Sequence, residues 1–317
     1  MDGTATDRFD LSRFEASRNR LASLAYRLLG SAADAEDSVQ DAFLQWQAAD
    51  RKLIKVPEAW LTKVVTNLCL DRLRSAQARR ERAVGSWLPE LLLDGDAMLG
   101  PADTFEQRES VSLAVLTLVE RLSPVERAVY VLREAFSYSH AEIAEILDIT
   151  KPASQQHLHR ARHRITAARR SGGEADPASA RRIVEEFLAA ASSGRTERLV
   201  ALLTDDATAI SDGAGLTEKL LRYDTPQRIA AIAQAGFKPT TAKRRFADAT
   251  MRVHYALVNG APATLFVVGG QVVGAVTFDI ANGKIATVRG IAAPTRIARL
   301  TEAWRQHESD TPLIAQW

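Results

Sequence analysis

Between residues 149 and 173 the chain carries Lys151, Arg160, Arg162, Arg164, Arg169 and Arg170, and no Asp or Glu. Cationic side chains left unopposed over that length neutralise phosphates and release their counterions. Interleaved with them are Gln155, Gln156 and His157, whose amide and imidazole groups can hydrogen-bond base edges. A second set lies at 28–50, where Asp34, Glu36, Asp37, Asp41 and Asp50 stand without a base, a local charge of −5 against +6 for the later run. A third set lies at 60–74. There Asn67, Asp71 and Arg74 recur at spacings of four and three, so they share one helical face, and Arg72 adds to its basic end.

The basic run must be positioned by a helix-turn-helix. Ser123-Pro124-Val125-Glu126 and Ser139-His140-Ala141-Glu142 both match Ser-x-x-Glu capping boxes, the first with Pro at the first helical position. Ile143, Ala144, Leu147 and Ile149 supply apolar contacts. Asp148 falls at the turn, where a left-handed residue is needed and Asp tolerates that conformation. A helix-turn-helix ending in unopposed positive charge suits the major groove of DNA. Its rival is a plain helical hairpin with a solvated basic face. The acidic segment reads as an amphipathic helix behind a Ser31/Asp34 cap, with Val39, Phe43 and Trp46 on one stripe. Another helix starts at Pro57 and carries Trp60, Leu61, Val64, Val65, Leu68 and Leu73. Taken alone, each of these two helices is equally a solvated face over a core.

A length of 317 residues and an apolar share of 46% allow two or three domains with real cores. The net charge of +2 means that any nucleic-acid surface comes from clustering rather than bulk charge. Cys69 is the only cysteine, which excludes an internal disulfide and argues against a thiolate metal site; no cofactor or metal is expected. The polar N-terminus is unlike a signal peptide, and no apolar run is long enough to span a bilayer, so a cytoplasmic protein without membrane contact is expected. Helices fill 9–82. At 83–103 Gly85, Pro89, Gly95, Gly100 and Pro101 break the pattern, which makes a linker. It contains Trp87-Leu88-Pro89-Glu90 and Leu91-Leu92-Leu93, which a solvated tether would avoid, so it is predicted to pack on something. A second helical domain covers 104–170, and Ser171-Gly172-Gly173 marks a hinge. The last domain, 177–305, opens with helices over 180–192 and 196–203. Strands follow at 250–258, 263–268, 271–280 and 284–290, punctuated by Asn259-Gly260, Gly269-Gly270 and Asn282-Gly283. This order predicts an α+β domain, an antiparallel meander curled over a helix.

The order and spacing of the three sets resemble regions 2 and 4 of bacterial sigma factors of the extracytoplasmic-function (ECF) type, in the sigma-70 family. The resemblance covers about residues 9–170. The remainder resembles a SnoaL-like domain, a cone-shaped fold of the nuclear-transport-factor-2 type, and Trp87-Leu88-Pro89-Glu90 looks like the linker motif of the ECF subgroup that carries such an extension. The implied fold is two all-α sigma domains plus a C-terminal α+β cone. The implied function is an alternative sigma factor, not an enzyme, with core RNA polymerase and promoter DNA as partners and with activity tuned by its own extension. Asp34, Asp37, Gln40, Asp41 and Phe43 would then contact core polymerase. Asn67, Asp71, Arg72 and Arg74 would line the melted −10 strand, and the loop at 51–57 would capture an extruded base. Lys151, Gln155, Gln156, His157, Arg160, Arg162 and Arg164 would bind the −35 duplex. Trp87, Leu88, Pro89 and Glu90 would form a regulatory linker.

The sequence departs from the family at Ser154, where region 4 usually has an apolar residue, and at Gln155 and His157, where bases are frequent. Ser211-Asp212-Gly213-Ala214-Gly215 only approximates the subgroup's glycine-rich segment, and Ile291-Ala292-Ala293-Pro294-Thr295-Arg296 replaces its Asn-Pro-Asp-Lys-like tail. The extension's fold class also hosts enzymes that use an Asp base and a Tyr in an apolar pocket. Asp205, Asp206, Asp212, Asp248, His254, Tyr255 and Asp279 are available for such work, so the extension stays open to sensing or converting a small ligand. His254 and Tyr255 are neighbours in a strand, so at most one faces a cavity. A conventional dimeric DNA-binding regulator is the alternative for the whole chain.

Overall fold

The computed structural model describes residues 3–80, 88–100, 107, 109–168, 176–216, 220–237, 251–307 and 311–315. They fall into two compact units, Met1–Val84 with Gly95–Ala168, and Gly85–Asp94 with Arg169–Trp317. The chain leaves the first unit, contributes a short piece to the second, and returns. Trp87, Asp248, Arg169 and Arg170, singled out above, lie outside the described residues.

The first unit is all-α. Helices α1 (Gly3–Leu29), α2 (Ala32–Ala48) and α3 (Pro57–Arg80) bundle around Leu21, Leu28, Val39, Trp46, Leu61, Val65 and Cys69. Gly30 (φ 66°) ends α1, and Ser31 caps α2 by accepting from Asp34 N at 3.2 Å. Four further helices follow: α4 (Leu113–Val119), α5 (Pro124–Glu134), α6 (His140–Leu147) and α7 (Lys151–Ala168). Both capping boxes form. Ser123 N and Ser139 N donate to Glu126 and Glu142 at 3.0 and 2.7 Å, and each glutamate N–H donates back to the serine Oγ. Asp148 takes the left-handed conformation at the turn (φ 53°, ψ 45°).

Helices α5 and α6 pack on α1 and α3 within this unit. Two buried guanidiniums hold the arrangement. Arg127 on α5 donates to Leu28 O at 2.8 Å and Val119 O at 3.0 Å and pairs with Glu120 at 2.7 Å. Arg27 on α1 donates to Ser23 Oγ, to Ser110 Oγ at 2.9 Å and to Leu99 O at 2.7 Å. That last bond ties the 3₁₀ turn Ala97–Leu99 of the linker to α1. Burial lowers both guanidiniums to about 10, so both remain charged at neutral pH. A polar seam completes the contact: Arg20 donates to Tyr138 OH at 2.7 Å, Tyr138 OH lies 3.1 Å from Thr62 Oγ1, and Lys63 reaches Asp148 at 2.7 Å.

The second unit is α+β. Helices α8 (Pro177–Ser192), α9 (Thr196–Ala201), α10 (Pro226–Phe237) and α11 (Pro294–Gln306) accompany a six-stranded sheet of order β2-β1-β6-β5-β4-β3. Its strands are β1 (Leu203–Ser211), β2 (Leu221–Tyr223), β3 (Met251–Val258), β4 (Ala261–Val268), β5 (Gln271–Ala281) and β6 (Lys284–Ile291). Strands β3 to β6 form the expected meander, and β1 joins it in parallel to β6, so the sheet is mixed. Asn259-Gly260, Gly269-Gly270 and Asn282-Gly283 all have positive φ at both residues, the requirement of a two-residue hairpin turn matched to sheet twist. One sheet face, with Val253, Phe278 and Ala209, packs on Val184 and Phe187 of α8 and Ile229 and Ala230 of α10. Across the sheet, α11 lies on β5 and Trp304 meets His254 edge-on at 5.0 Å. Asp205 and Asp206 stand exposed on β1. Helices α10 and α11 add to the two helices that the sequence predicts for this domain.

Candidate nucleic-acid interface

Helix α7 starts at Thr150, whose Oγ1 accepts from Ala153 N at 3.2 Å. Its buried stripe is Ser154, Leu158, Ala161 and Ile165, at spacings of four, three and four. The opposite stripe has the same spacing: Pro152, Gln156, His159 and His163, all exposed, with Gln155 and Arg160 exposed beside it. Of the residues expected to bind DNA here, the structure brings Lys151, Gln155, Gln156, Arg160, Arg162 and Arg164 to solvent. His157 is half-buried on the flank, and its Nδ1 is enclosed without a hydrogen-bond partner among the described residues, so it turns toward the protein rather than toward bases.

Arg162 and Arg164 are engaged while exposed, because α5 offers carboxylates to both flanks of α7. Arg162 pairs with Glu134 and Arg164 with Glu126, each at 2.7 Å. Burial alone would push the Glu126 carboxyl up, but the Ser123 hydrogen bonds and Arg164 hold it below the usual carboxylate range. Ser154 fits the core despite its polarity because His140 Nδ1 lies 2.8 Å from its Oγ, a bond that ties the two helices of the motif together. Burial, then Arg133, Arg162 and Lys151, hold His140 below the ordinary histidine value.

In the first bundle Asp34, Asp37 and Gln40 are exposed, while Asp41 and Phe43 are half-buried. Phe43 packs at a tilt against Phe14, ring centroids 4.8 Å apart. Arg72, expected along a melted strand, points instead into the acidic helix: it lies 2.9 Å from Asp41, 3.5 Å from Asp34 and 3.9 Å from Asp37. Three carboxylates around one cation outcompete solvent for it. Arg74 pairs with Asp71 at 3.1 Å, and Asn67 is half-buried. Between α2 and α3, Leu53 and Val56 are 78% and 57% exposed, an apolar tip on the 51–57 loop.

The linker motif has a clear place in the second unit. Leu88, Pro89, Glu90, Leu91, Leu92 and Leu93 are all buried. Leu91 N donates to Arg296 O at 3.3 Å, Leu92 N to Asn259 Oδ1 at 3.0 Å, Asn259 N to Leu92 O at 2.9 Å and Asp94 N to Leu257 O at 3.0 Å. Asp94 Oδ1 accepts from Gly260 N at 3.0 Å. The segment therefore binds along β3 and its hairpin. Asp212, in the glycine-rich segment, is buried and accepts from Ala292 N and Ala293 N at 3.0 and 2.9 Å, with Arg296 at 3.4 Å. The two departing motifs thus meet at the start of α11.

The groups available for catalysis are scattered. Asp279 pairs with Arg289 through two 2.7 Å bonds. Tyr255 lies on the face packed by α8, and His254 lies on the other face, against Trp304. Burial raises the Tyr255 hydroxyl, with Arg181, whose guanidinium is 5.1 Å from the ring centroid, acting the other way. Among the described residues no three His, Cys, Asp or Glu side chains cluster as metal ligands. Burial pushes the Cys69 thiol up to about 12, so it is inert. No described helix is long and apolar enough to cross a membrane.

Comparison with known families matches Sigma-70 region 2 at residues 13–79 and Sigma-70, region 4 at 112–165. The ECF RNA polymerase sigma factor SigJ of Mycobacterium tuberculosis is 40% identical over 214 residues, 67% of this chain and 68% of that one. The probable ECF RNA polymerase sigma factor SigI of the same organism is 31% identical over 289 residues, 90% of this chain and 93% of that one. The crystal structure of M. tuberculosis SigJ superposes with a TM-score of 0.66 at 30% identity, over 91% of this chain and 98% of that one.

Proposed function

The chain belongs to the extracytoplasmic-function sigma factors of the sigma-70 family, with a C-terminal SnoaL-like domain, and from that premise we propose how its surfaces divide the work. It binds core RNA polymerase and directs promoter-specific initiation. In region 2, Asp34, Asp37 and Gln40, with Asp41 and Phe43 behind them, form the face for core polymerase. Charge orients that encounter and apolar atoms supply affinity. Arg72 shapes this acidic face rather than the DNA face. The apolar tip at Leu53 and Val56, with Asn67 and Arg74, meets the melted −10 strand. In region 4, Pro152, Gln155 and Gln156 face −35 bases, and Lys151 and Arg160 contact phosphates.

The extension acts through the linker. Its hold on residues 88–94 is the observation that carries this reading, because those residues belong to the segment joining region 2 to region 4. Elements at −10 and −35 lie about 85 Å apart in B-form DNA at 3.4 Å per base pair. The bonds of Arg127, Arg20 and Lys63 hold region 4 against region 2. Promoter engagement must break them and draw out the linker, and a domain gripping that linker sets how readily this happens. Sigma factors are non-enzymatic transcription regulators. We extend that to the C-terminal domain, where Asp212 and Asp279 are committed to backbone amides and to Arg289. Action alongside polymerase places the protein in the cytoplasm.

Run-off transcription with core polymerase tests this on DNA from upstream of the protein's own gene, using the full chain and a chain ending at Gly173. Discrete transcripts that need the chain, at yields that differ between the two forms, are expected. Equal yields refute the regulatory role of the extension. No transcript from either form refutes the assigned promoter contacts.

A further inference from the structure

Four of the six histidines lie in the helix-turn-helix: His140, His157, His159 and His163. Two are spoken for, His140 by Ser154 and His157 by its inward flank position. The other two, His159 and His163, occupy the outermost stripe of α7, directly opposite the core stripe. The neighbouring arginines Arg162 and Arg164 are already paired with Glu134 and Glu126.

Distance along the helix separates the work of the stripe. At 1.5 Å per residue, His159 and His163 lie about 10 and 16 Å beyond Pro152. The major groove is about 12 Å wide. A helix that places Pro152 and Gln156 against base edges therefore carries the histidines out toward the phosphate backbone. A neutral imidazole there brings no charge, while a protonated one acts as a lysine would. Around the pair, α7 itself contributes Gln155, Arg160, Arg162 and Arg164, and no acid. Helix α5 contributes Arg133 and the engaged Glu126 and Glu134, and α4 has no charged side chain. Helix α6 contributes His140, Glu145 and Glu142, the last bound in its own cap. No carboxylate is left free on the facing helix α5 to compete with a phosphate for the pair.

We propose that His159 and His163 are phosphate contacts for the −35 duplex and that region 4 takes up protons when it binds, so that promoter affinity rises as pH falls. This rests on the reading of α7 as the −35 helix. Histidine ordinarily titrates near 6.5. Phosphate favours the charged form, so the gain is complete well below that value and is lost as pH rises past it toward 8.

Holoenzyme assembled from the full chain and core polymerase is titrated with a fluorescent promoter duplex at pH 6, 7 and 8 over a range of KCl. Wild type is compared with His159→Gln, His163→Gln and the double substitution. Each protonated contact adds about 0.9 to the slope of log K against log salt. The wild-type slope at pH 6 should exceed that of the double variant by up to about 1.8, with each single variant near halfway. At pH 8 the slopes should coincide. A difference between wild type and double variant that is the same at pH 6 and pH 8, or no difference at either, overturns the proposal. Failure to form a promoter complex at any pH overturns the −35 reading as well.

Discussion

Replacing Asn259 with glycine isolates the grip of the C-terminal domain on the linker. Asn259 is fully buried and sits at the first turn residue of the β3–β4 hairpin with φ 52°. Glycine accepts that conformation freely, so Asn259→Gly keeps the turn and the backbone bond to Leu92 O. It removes Oδ1, the acceptor for Leu92 N at 3.0 Å. A buried N–H left without an acceptor costs about 1–3 kcal/mol. The linker's local opening should therefore become roughly 5- to 150-fold more frequent, at 1.4 kcal/mol per factor of ten. Hydrogen exchange in the full chain reads this directly. Amides at 91–94 should lose that much protection, while amides of β5 and β6 keep theirs. Uniform loss across the sheet would mean that the turn, not the linker, depends on the side chain. Unchanged exchange at 91–94 would refute the claim that this bond holds the linker.

Arg127→Met should destabilise the first unit by about 3–5 kcal/mol, because it strips Glu120 and two carbonyls of a buried partner; a denaturant titration showing less than about 1 kcal/mol would contradict the staple. Arg160→Ala should weaken binding to all −35 sequences alike and flatten the salt slope by about 0.9, whereas Arg162→Ala should change the slope by much less because Glu134 already neutralises that guanidinium. A sequence-selective loss for Arg160→Ala would refute a phosphate role. His140 is held below its ordinary value in the fold, so its contribution to stability is full above about 6.5 and is lost as pH falls through the lower native value. Unfolding free energy should fall on going from pH 7.5 to 5.5, and His140→Gln should reduce that fall; parallel pH profiles for the two proteins would rule His140 out as its source.

Local signals in the chain were legible where local physics decides. The two capping boxes, the left-handed Asp148 and the three positive-φ hairpin pairs each depend on residues within four positions of one another. Strand β1 was not legible, because its pairing is non-local: parallel to β6, some eighty residues later, and antiparallel to β2. Ion pairing was not legible for the same reason. Arg72, Arg162 and Arg164 look free along their own helices, and their partners Asp41, Glu134 and Glu126 lie 31, 28 and 38 residues away. With those pairs formed, His159 and His163 remain on the exposed stripe of α7. The leucines at 91–93 showed that the linker must pack, but not that Asn259 would cap it, because a turn-forming Asn-Gly carries no sign of a second role.

The most direct test of the central claim is permanganate footprinting of a promoter fragment with core polymerase and this chain, together with nuclease protection upstream. The account predicts reactive thymines around −10 and protection at −35, both requiring core and chain together. Protection without reactive thymines, obtained with the chain alone, would contradict it and would describe a DNA-binding protein that does not open promoters.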